Sequence, residues 1–253
     1  TDVLGAHSIE AADLDFDGDL DLISASRQDG RLRWYRNERQ ASSVTPTFTS
    51  LDIDIVNGIY IAIPGDIDGD GEIDIAVAAV SEVRPSALAE PAMGGAGTVL
   101  WYENNGVAQF QGHVIYDNLD YPVSIDIADL DRDGDLDLLS ASRDDNRVLW
   151  YENDGDRIDP GFTSYTLSDR AFGAVSVSTA DFDGDGDLDV VTASEDDDQI
   201  AWYENIGPQP LRFVTHIIQQ TTNPTPSASR RPSPPKGPGP DGRAPAWAGR
   251  RFT

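Results

Sequence analysis

One acidic segment of nine residues occurs four times and constrains this chain more than any other feature. The copies are DLDFDGDLD at 13–21, DIDGDGEID at 66–74, DLDRDGDLD at 129–137 and DFDGDGDLD at 181–189. Carboxylates stand at positions 1, 3, 5, 7 and 9, and a glycine at position 6 permits a sharp turn. Like charges this close repel one another unless a cation lies between them, and a short loop of oxygen ligands suits Ca²⁺. The sequence therefore predicts up to four Ca²⁺ ions.

The ligands that we infer in each loop are the side chains at positions 1, 3, 5 and 9, the backbone carbonyl at position 7, and water. The alternative is that the acidic turns only make hairpins soluble, which four copies in register disfavour. The candidate metal residues are Asp13, Asp15, Asp17, Asp19, Asp21, Asp66, Asp68, Asp70, Glu72, Asp74, Asp129, Asp131, Asp133, Asp135, Asp137, Asp181, Asp183, Asp185, Asp187 and Asp189.

These loops begin like EF-hands but do not continue like them. An EF-hand needs a bidentate Glu at position 12, and here that position holds Ser24, Val77, Ser140 and Thr192. The residues after each loop are short runs such as LISAS and VVTAS, which are typical of strands and not of helices. We therefore expect each loop to join two β-strands.

The repeat extends well beyond the loop. A second signature, Trp-Tyr-x-Asn, begins at Trp34, Trp101, Trp150 and Trp202, and follows the loop start by 21, 35, 21 and 21 residues. Alternating apolar and polar residues predict four short strands in each copy. A single unit of this size buries too little apolar surface to be stable, so we predict an all-β fold, a β-propeller of four-stranded antiparallel blades.

The predicted blades cover approximately 4–54, 55–116, 117–168 and 169–220. The Trp and Tyr of strand three point to opposite faces, so we expect them to fill the gaps between blades. Residues 221–253 are rich in Pro, Gly and Arg without a strand pattern, and are predicted to be a disordered tail or linker.

The D-x-D-x-D-G-x-x-D loops, the SAS ending of strand two and the WYEN strand resemble FG-GAP/VCBS-type repeats over roughly residues 4–219. They are similar to the Ca²⁺-binding blades of integrin alpha subunits. The resemblance implies a β-propeller, commonly seven-bladed, in a secreted or cell-surface protein, with metal ligands at positions 1, 3, 5 and 9. Two features depart from the family: four units are present instead of seven, and Arg36 replaces the Glu of WYEN.

Four units could close as a small ring or form an arc of a larger one. Larger rings often close with an N-terminal strand that completes the last blade, whereas this chain starts at strand one. We therefore favour an arc of a larger propeller.

Charge and composition exclude several classes of function. The net charge is −27, and six of the 18 basic residues lie in the last 24 residues, so the propeller region is more acidic still. Nucleic acid is not expected as a partner, since phosphate binding needs clustered Lys and Arg. The chain has no cysteine for disulfides or thiolate metal sites, and no apolar run long enough to span a membrane.

The sequence contains no recognised catalytic motif, such as a nucleophile elbow, HExxH or a phosphate-binding glycine loop. Of three histidines, His113 and His216 share a strand-four position that holds Leu51 and Tyr165 in other copies, which indicates packing. We therefore expect no enzymatic activity.

The expected function is a non-catalytic Ca²⁺-binding propeller for extracellular adhesion or protein binding. The alternatives are a lectin-like propeller and an accessory domain of a larger secreted enzyme. The face opposite the Ca²⁺ loops, which carries the insertion Ser81–Thr98 together with Arg27, Arg143 and Arg147, is where we expect a protein or glycan ligand.

Overall fold

A computed structural model of the chain describes residues 4–39, 45–80, 97–106, 109–158, 160–207 and 211–220. Within these ranges the protein is all-β and contains no helix, hence none that could span a membrane. Each repeat forms one four-stranded antiparallel sheet with its strands in sequence order. The tail at 221–253 and most of the insertion, residues 81–96, lie outside the described residues.

The sixteen strands divide equally among four units. Unit 1 contains β1 (Ala6–Ala12), β2 (Asp21–Ser26), β3 (Arg31–Asn37) and β4 (Phe48–Ile55). Unit 2 contains β5 (Ile59–Gly65), β6 (Asp74–Ala79), β7 (Gly97–Asn104) and β8 (Phe110–Leu119). Unit 3 contains β9 (Pro122–Ala128), β10 (Asp137–Ser142), β11 (Arg147–Asn153) and β12 (Phe162–Ser168). Unit 4 contains β13 (Ala174–Ala180), β14 (Asp189–Ser194), β15 (Gln199–Asn205) and β16 (Phe213–Gln220).

Alternation along the strands gives every sheet two apolar faces. In unit 1, Trp34 of β3 pairs with Ile23 of β2, whereas the next residue, Tyr35, pairs with Leu22. Neighbouring residues of a strand point to opposite sides of the sheet. We call the side that carries the strand-three tryptophan the Trp face, and the other side the Tyr face.

The core consists of three clusters, each formed between consecutive units. Trp34 of unit 1 lies in one cluster with Tyr102 of unit 2. Trp101 shares the next cluster with Tyr151 of unit 3, and Trp150 shares the third with Tyr203 of unit 4. The Trp face of each unit therefore packs on the Tyr face of the next, as predicted from the alternation.

Strand one of each unit forms the inner line of contact between units. β1 packs against β5, β5 against β9, and β9 against β13. Hydrogen bonds from backbone to side chain join β1 to β5 and β9 to β13: the Ala62 N–H donates to Ser8 Oγ at 3.1 Å, and the Val177 N–H donates to Ser124 Oγ at 3.2 Å. The interface between units thus has an apolar part and a repeated polar bond.

No described unit covers the two ends of the series. Trp101 and Trp150 are 2% and 3% exposed, whereas Trp202 on the last Trp face is half-buried. Tyr35 on the first Tyr face is likewise half-buried. This open series of sheets is compatible with an arc of a larger ring.

Strands β4 and β8 continue to Ile55 and Leu119, past the expected blade ends at 54 and 116. The pairing of β7 with β8 contains two register shifts, between Gly97 and Val99 and between Val99 and Leu100. A β-bulge at such an irregularity accommodates an extra residue. The strand therefore becomes longer while the same side chains face the core.

Candidate metal centres

The four acidic loops join strands one and two of their units, so they lie at equivalent places in the four sheets. In each loop the carboxylates at positions 1, 3 and 5 converge, with one oxygen from each lying within 4.8 Å of the others. These groups are Asp13, Asp15 and Asp17; Asp66, Asp68 and Asp70; Asp129, Asp131 and Asp133; and Asp181, Asp183 and Asp185. Three converging carboxylates could hold a hard cation such as Ca²⁺.

Backbone N–H groups wrap the loop around its own carboxylates. In the second loop the Gly71 N–H donates to Asp66 Oδ2 at 3.1 Å, and the Glu72 N–H donates to Asp70 Oδ1 at 2.8 Å. The fourth loop has the same two bonds, from Gly186 and Asp187, at 3.1 and 2.8 Å. Such bonds orient the carboxylates toward the inside of the turn.

Two loop positions adopt left-handed backbone conformations, one of which the sequence pattern did not reveal. The position-6 glycine has φ between 91° and 102° in the four loops. Position 4 is also left-handed, although it is glycine in only two copies and Phe16 (φ 54°) or Arg132 (φ 62°) in the others. A left-handed non-glycine residue stores about 1–2 kcal/mol of strain, which the loop must offset.

The carboxylates at position 7 lie outside the converging groups. Arg132 Nη1 contacts Asp187 Oδ1 at 2.6 Å, which connects the loops of units 3 and 4. Arg39 Nη2 contacts Asp19 Oδ1 at 2.5 Å within unit 1. These two side chains are engaged with cationic residues of the protein.

Position 9 is a buried structural anchor. Asp137, for example, accepts the Leu130 N–H at 3.1 Å through Oδ2 and the Asn153 N–H at 2.9 Å through Oδ1. The same two bonds recur in the other units at 2.7–3.2 Å. All four position-9 aspartates, Asp21, Asp74, Asp137 and Asp189, are 0% exposed and lie outside the converging groups. Each side chain therefore joins the start of its loop to strand three.

The asparagine of the Trp-Tyr-x-Asn signature extends this connection to the preceding unit. Asn153 Nδ2 donates to the Ile67 carbonyl in the loop of unit 2 at 2.8 Å and to the Leu136 carbonyl of its own loop at 3.1 Å. Asn104 and Asn205 make equivalent pairs of bonds to the loops of their own and the preceding units. The sequence analysis did not predict these hydrogen bonds, although the presence of Asn in all four copies was a signal for them.

Burial raises the pKa of several loop carboxylates. It raises the pKa of Asp68 to about 6 and that of both Asp74 and Asp137 to about 7, in each case chiefly by desolvation. The pKa values of Asp15 and Asp131 are also raised, first by burial and then by neighbouring carboxylates. A bound cation would favour the ionised forms.

The indole N–H of the strand-three tryptophan is buried near the position-9 carboxylate. The indole groups of Trp101 and Trp150 lower the pKa of Asp74 and Asp137 and so offset part of the rise that burial causes. The Nε1 atoms of both tryptophans nevertheless have no hydrogen-bond partner of normal geometry within the described residues. The tryptophans thus stabilise the ionised position-9 carboxylates as well as packing in the core.

On the opposite face, an aromatic and cationic cluster spans three units. The Arg27 guanidinium lies 5.3 Å from the Tyr60 ring centroid and 5.5 Å from that of Tyr121, and donates to the Tyr121 hydroxyl. The His7 ring lies 3.8 Å from the Tyr60 ring. Tyr121 has φ 64° at a position where other units have glycine, namely Gly5, Gly58 and Gly173. Strain held by surrounding structure is a feature of functional sites.

Other polar residues predicted for this face are paired within the protein. Arg143 pairs with Glu195 of the next unit, and Arg147 pairs with Asp145 at 2.5 Å. The histidines of strand four stack on tryptophan, with ring centroids 4.6 Å apart for both His113 on Trp101 and His216 on Trp202. Their rings therefore pack as the sequence indicated.

Replacement of Asn153 by alanine should destabilise the protein by about 1–3 kcal/mol, since one buried and one partly buried carbonyl lose their donor. Asn37→Ala is the matched control, because Asn37 Nδ2 donates to Leu20 of its own unit. We expect a smaller loss for the control in urea unfolding at fixed Ca²⁺. Equal losses would contradict a role for Asn153 in joining two units.

Comparison with known proteins agrees with this architecture. A family model described as "FG-GAP-like repeat" matches residues 13–77, 87–140, 129–192 and 181–230. No curated protein matches the chain.

Two of the similar solved structures are lyases. The crystal structure of the exotype rhamnogalacturonan lyase YesX has 13% identity and a TM-score of 0.48, with 83% of this chain and 47% of that chain covered. Bacillus licheniformis rhamnogalacturonan lyase PL11 has the same identity and TM-score, with 86% and 50% covered. The chain therefore spans about half the length of these structures. Because the family matches cover most of the sequence and extend over all four units, the chain belongs to the FG-GAP-like repeat family and is built of β-propeller-type units.

Proposed function

We propose that this chain is a non-catalytic Ca²⁺-binding propeller module that serves adhesion or protein binding outside the cell. The observation that carries the proposal is the convergence of three carboxylates in each of four equivalent loops. Each group brings at least three negative charges into a space of a few ångströms in a protein of net charge −27. A divalent cation removes this repulsion where it is strongest.

In this proposal the ions are structural. Positions 1, 3 and 5 supply oxygen ligands, and the position-7 carbonyl, the position-9 carboxylate and water complete the shell. A carboxylate oxygen that accepts one N–H keeps a second lone pair, so the hydrogen bonds of Asp137 are compatible with a contact to the ion. Through Asp137 and Asn153 an ion in the third loop would stabilise both its own unit and the contact with unit 2.

An extracellular setting suits sites of this kind. Extracellular modules bind Ca²⁺ with dissociation constants on the order of 10⁻⁴–10⁻³ M, which plentiful external Ca²⁺ can saturate. We therefore assign the module to a secreted or cell-surface protein.

The ligand surface that we propose is the cluster of His7, Arg27, Tyr60 and Tyr121 on the face opposite the metal loops. Two half-buried tyrosines and an exposed arginine offer ring faces, hydroxyls and a positive charge. These groups suit a protein loop with carboxylates and aromatic residues. They also favour the lectin-like alternative, because tyrosine rings and hydrogen-bond donors suit sugars.

Calcium should raise the melting temperature of the full chain strongly. A site with free Ca²⁺ at a hundredfold its dissociation constant contributes about 2.7 kcal/mol. We expect Asp133→Asn to remove one site from the Ca²⁺ stoichiometry measured by equilibrium dialysis. Asp169→Asn is the control, because that carboxylate is 78% exposed outside the loops. Melting curves that coincide with and without Ca²⁺ in low salt would refute the metal sites.

Without calcium, stability should fall as the pH rises. Asp74 and Asp137 have a pKa of about 7 in the folded protein against 3.8 for an ordinary aspartate, so the folded state binds more protons between these values. The stability is therefore fully present at low pH and is lost as the pH rises toward 7, by a few kcal/mol.

This dependence is measured by urea unfolding in calcium-free buffer from about pH 5 to pH 8. Saturating Ca²⁺ should counteract it, because metal ligands must be deprotonated. Asp137→Asn should reduce the slope, and Asp169→Asn should leave it unchanged. A metal-free protein that gains stability up to pH 8 would contradict the assignment.

Tyr121→Gly separates ligand binding from folding. Glycine adopts φ 64° without strain and occupies this position in the other three units, so the melting temperature should change little. Binding to a glycan array or to extracellular-matrix proteins should weaken at least about tenfold, since the variant loses one aromatic wall of the cluster. Phe48→Ala, at an exposed aromatic residue where β4 begins, is the control. Unchanged binding of a ligand found with the wild type would place the ligand surface elsewhere.

A further inference from the structure

The two end faces of the arc are complementary halves of one interface. Inside the chain, the Trp face of one unit packs on the Tyr face of the next at three places. Unit 4 presents a Trp face and unit 1 presents a Tyr face, and no described unit covers either. We propose that these two faces dock on each other between two copies of this chain, head to tail.

The exposure of equivalent residues identifies the uncovered Trp face. Ile200, two residues before Trp202, is 42% exposed, whereas the equivalent Leu32, Val99 and Val148 are each 0% exposed. Val191, which pairs with Trp202, is partly exposed, while the equivalent Leu139 is 0% exposed. The side chains are of the same apolar type, and the difference is that no described unit packs on this face.

The Tyr face of unit 1 shows the same contrast. Ile9 of β1 is 61% exposed, whereas the equivalent Ala62, Ile125 and Val177 are 0%, 4% and 5% exposed. Ile9, Leu22 and Tyr35 line an open recess of about 400 Å³ on this end of the arc. This recess is where the apolar side chains of a preceding unit would pack.

Polar groups at the two ends also match. At two of the three internal interfaces, Ser8 and Ser124 accept backbone N–H bonds from Ala62 and Val177 of the next unit. Ser176 is the equivalent residue of unit 4 and is exposed, and Ile9 is the equivalent of Ala62 and Val177. Docking would place the Ile9 N–H of one copy opposite Ser176 Oγ of the other.

Arg33 distinguishes the end face from the internal ones. It occupies the position of Leu100 and Leu149 on the Tyr face, is 4% exposed, and its Nε donates to Asp52 Oδ1 at 2.6 Å. Its Nη1 is buried and has no hydrogen-bond partner within the described residues. Because this atom is already inaccessible in the single chain, Arg33 marks a polar position on the end face and is not itself a docking contact.

A second copy is the occupant that fits these features, because it carries the one surface that this chain already packs on such faces three times. The contact is heterologous, so two arcs can close into a ring or more can join in a row. The proposal is independent of what the module binds.

The test is sedimentation velocity of the full 27.4 kDa chain in Ca²⁺ from low to high micromolar concentration. We expect concentration-dependent association of the wild type. Ile9→Asp and Ile200→Asp each place a charge on one end face and should each weaken association at least about a hundredfold, since an unpaired charge would be buried. Both positions are exposed in the single chain, so the variants should fold.

Mixing the two variants distinguishes this pairing from other contacts. Ile9→Asp keeps an intact Trp face and Ile200→Asp keeps an intact Tyr face, so an equimolar mixture should form a dimer although each variant alone is monomeric. Ile158→Asp, at a residue that is 94% exposed away from both ends, should associate like the wild type. A wild type that stays monomeric, association that both variants retain, or a mixture that fails to dimerise would overturn the proposal.

Discussion

Every unit of this protein has two apolar faces, and only neighbouring units can cover them. A sheet of four short strands with tryptophan on one side and tyrosine on the other cannot bury both by itself. The three clusters that join Trp34 to Tyr102, Trp101 to Tyr151 and Trp150 to Tyr203 solve this for the interior of the series. At each end of the series the same constraint leaves one apolar face that no described unit covers.

The acidic loops are connected to this packing through two side chains per unit. The position-9 carboxylate joins the start of the loop to strand three, and in units 2 to 4 the signature asparagine donates to the loop of the preceding unit. Because both side chains are buried, a change in the charge or shape of the loop is transmitted to the contact between units. We therefore expect metal binding in a loop to stabilise the contact between its unit and the neighbouring unit.

The two faces of the arc have different chemistry. One carries four clusters of carboxylates on rigid turns, and the other carries Arg27 between two tyrosines, with Tyr121 in a conformation that favours glycine. The strands separate the two faces, so a ligand on one face would not contact a cation held by the carboxylates on the other. This separation suits the proposed module, in which bound ions would stabilise the fold and the opposite loops could vary.

The sequence by itself determined the strands, the four units, the acidic loops and the opposite directions of Trp and Tyr, because all of these follow from local periodicity and spacing. It also showed which carboxylates belong to the loops, of which those at positions 1, 3 and 5 converge in the structure and that at position 9 does not join them. It did not show that Asp137 is fully buried under backbone donors, or that Asn153 reaches the loop of the preceding unit.

Those features depend on how one sheet is set against the next, and a repeat pattern contains no information about that distance or angle. The grouping of Arg27, Tyr60 and Tyr121 has the same origin, since these residues come from three different units. The exposure of Ile9 and Ile200 was likewise decided by tertiary structure, because their local sequence is that of the buried residues in the other units.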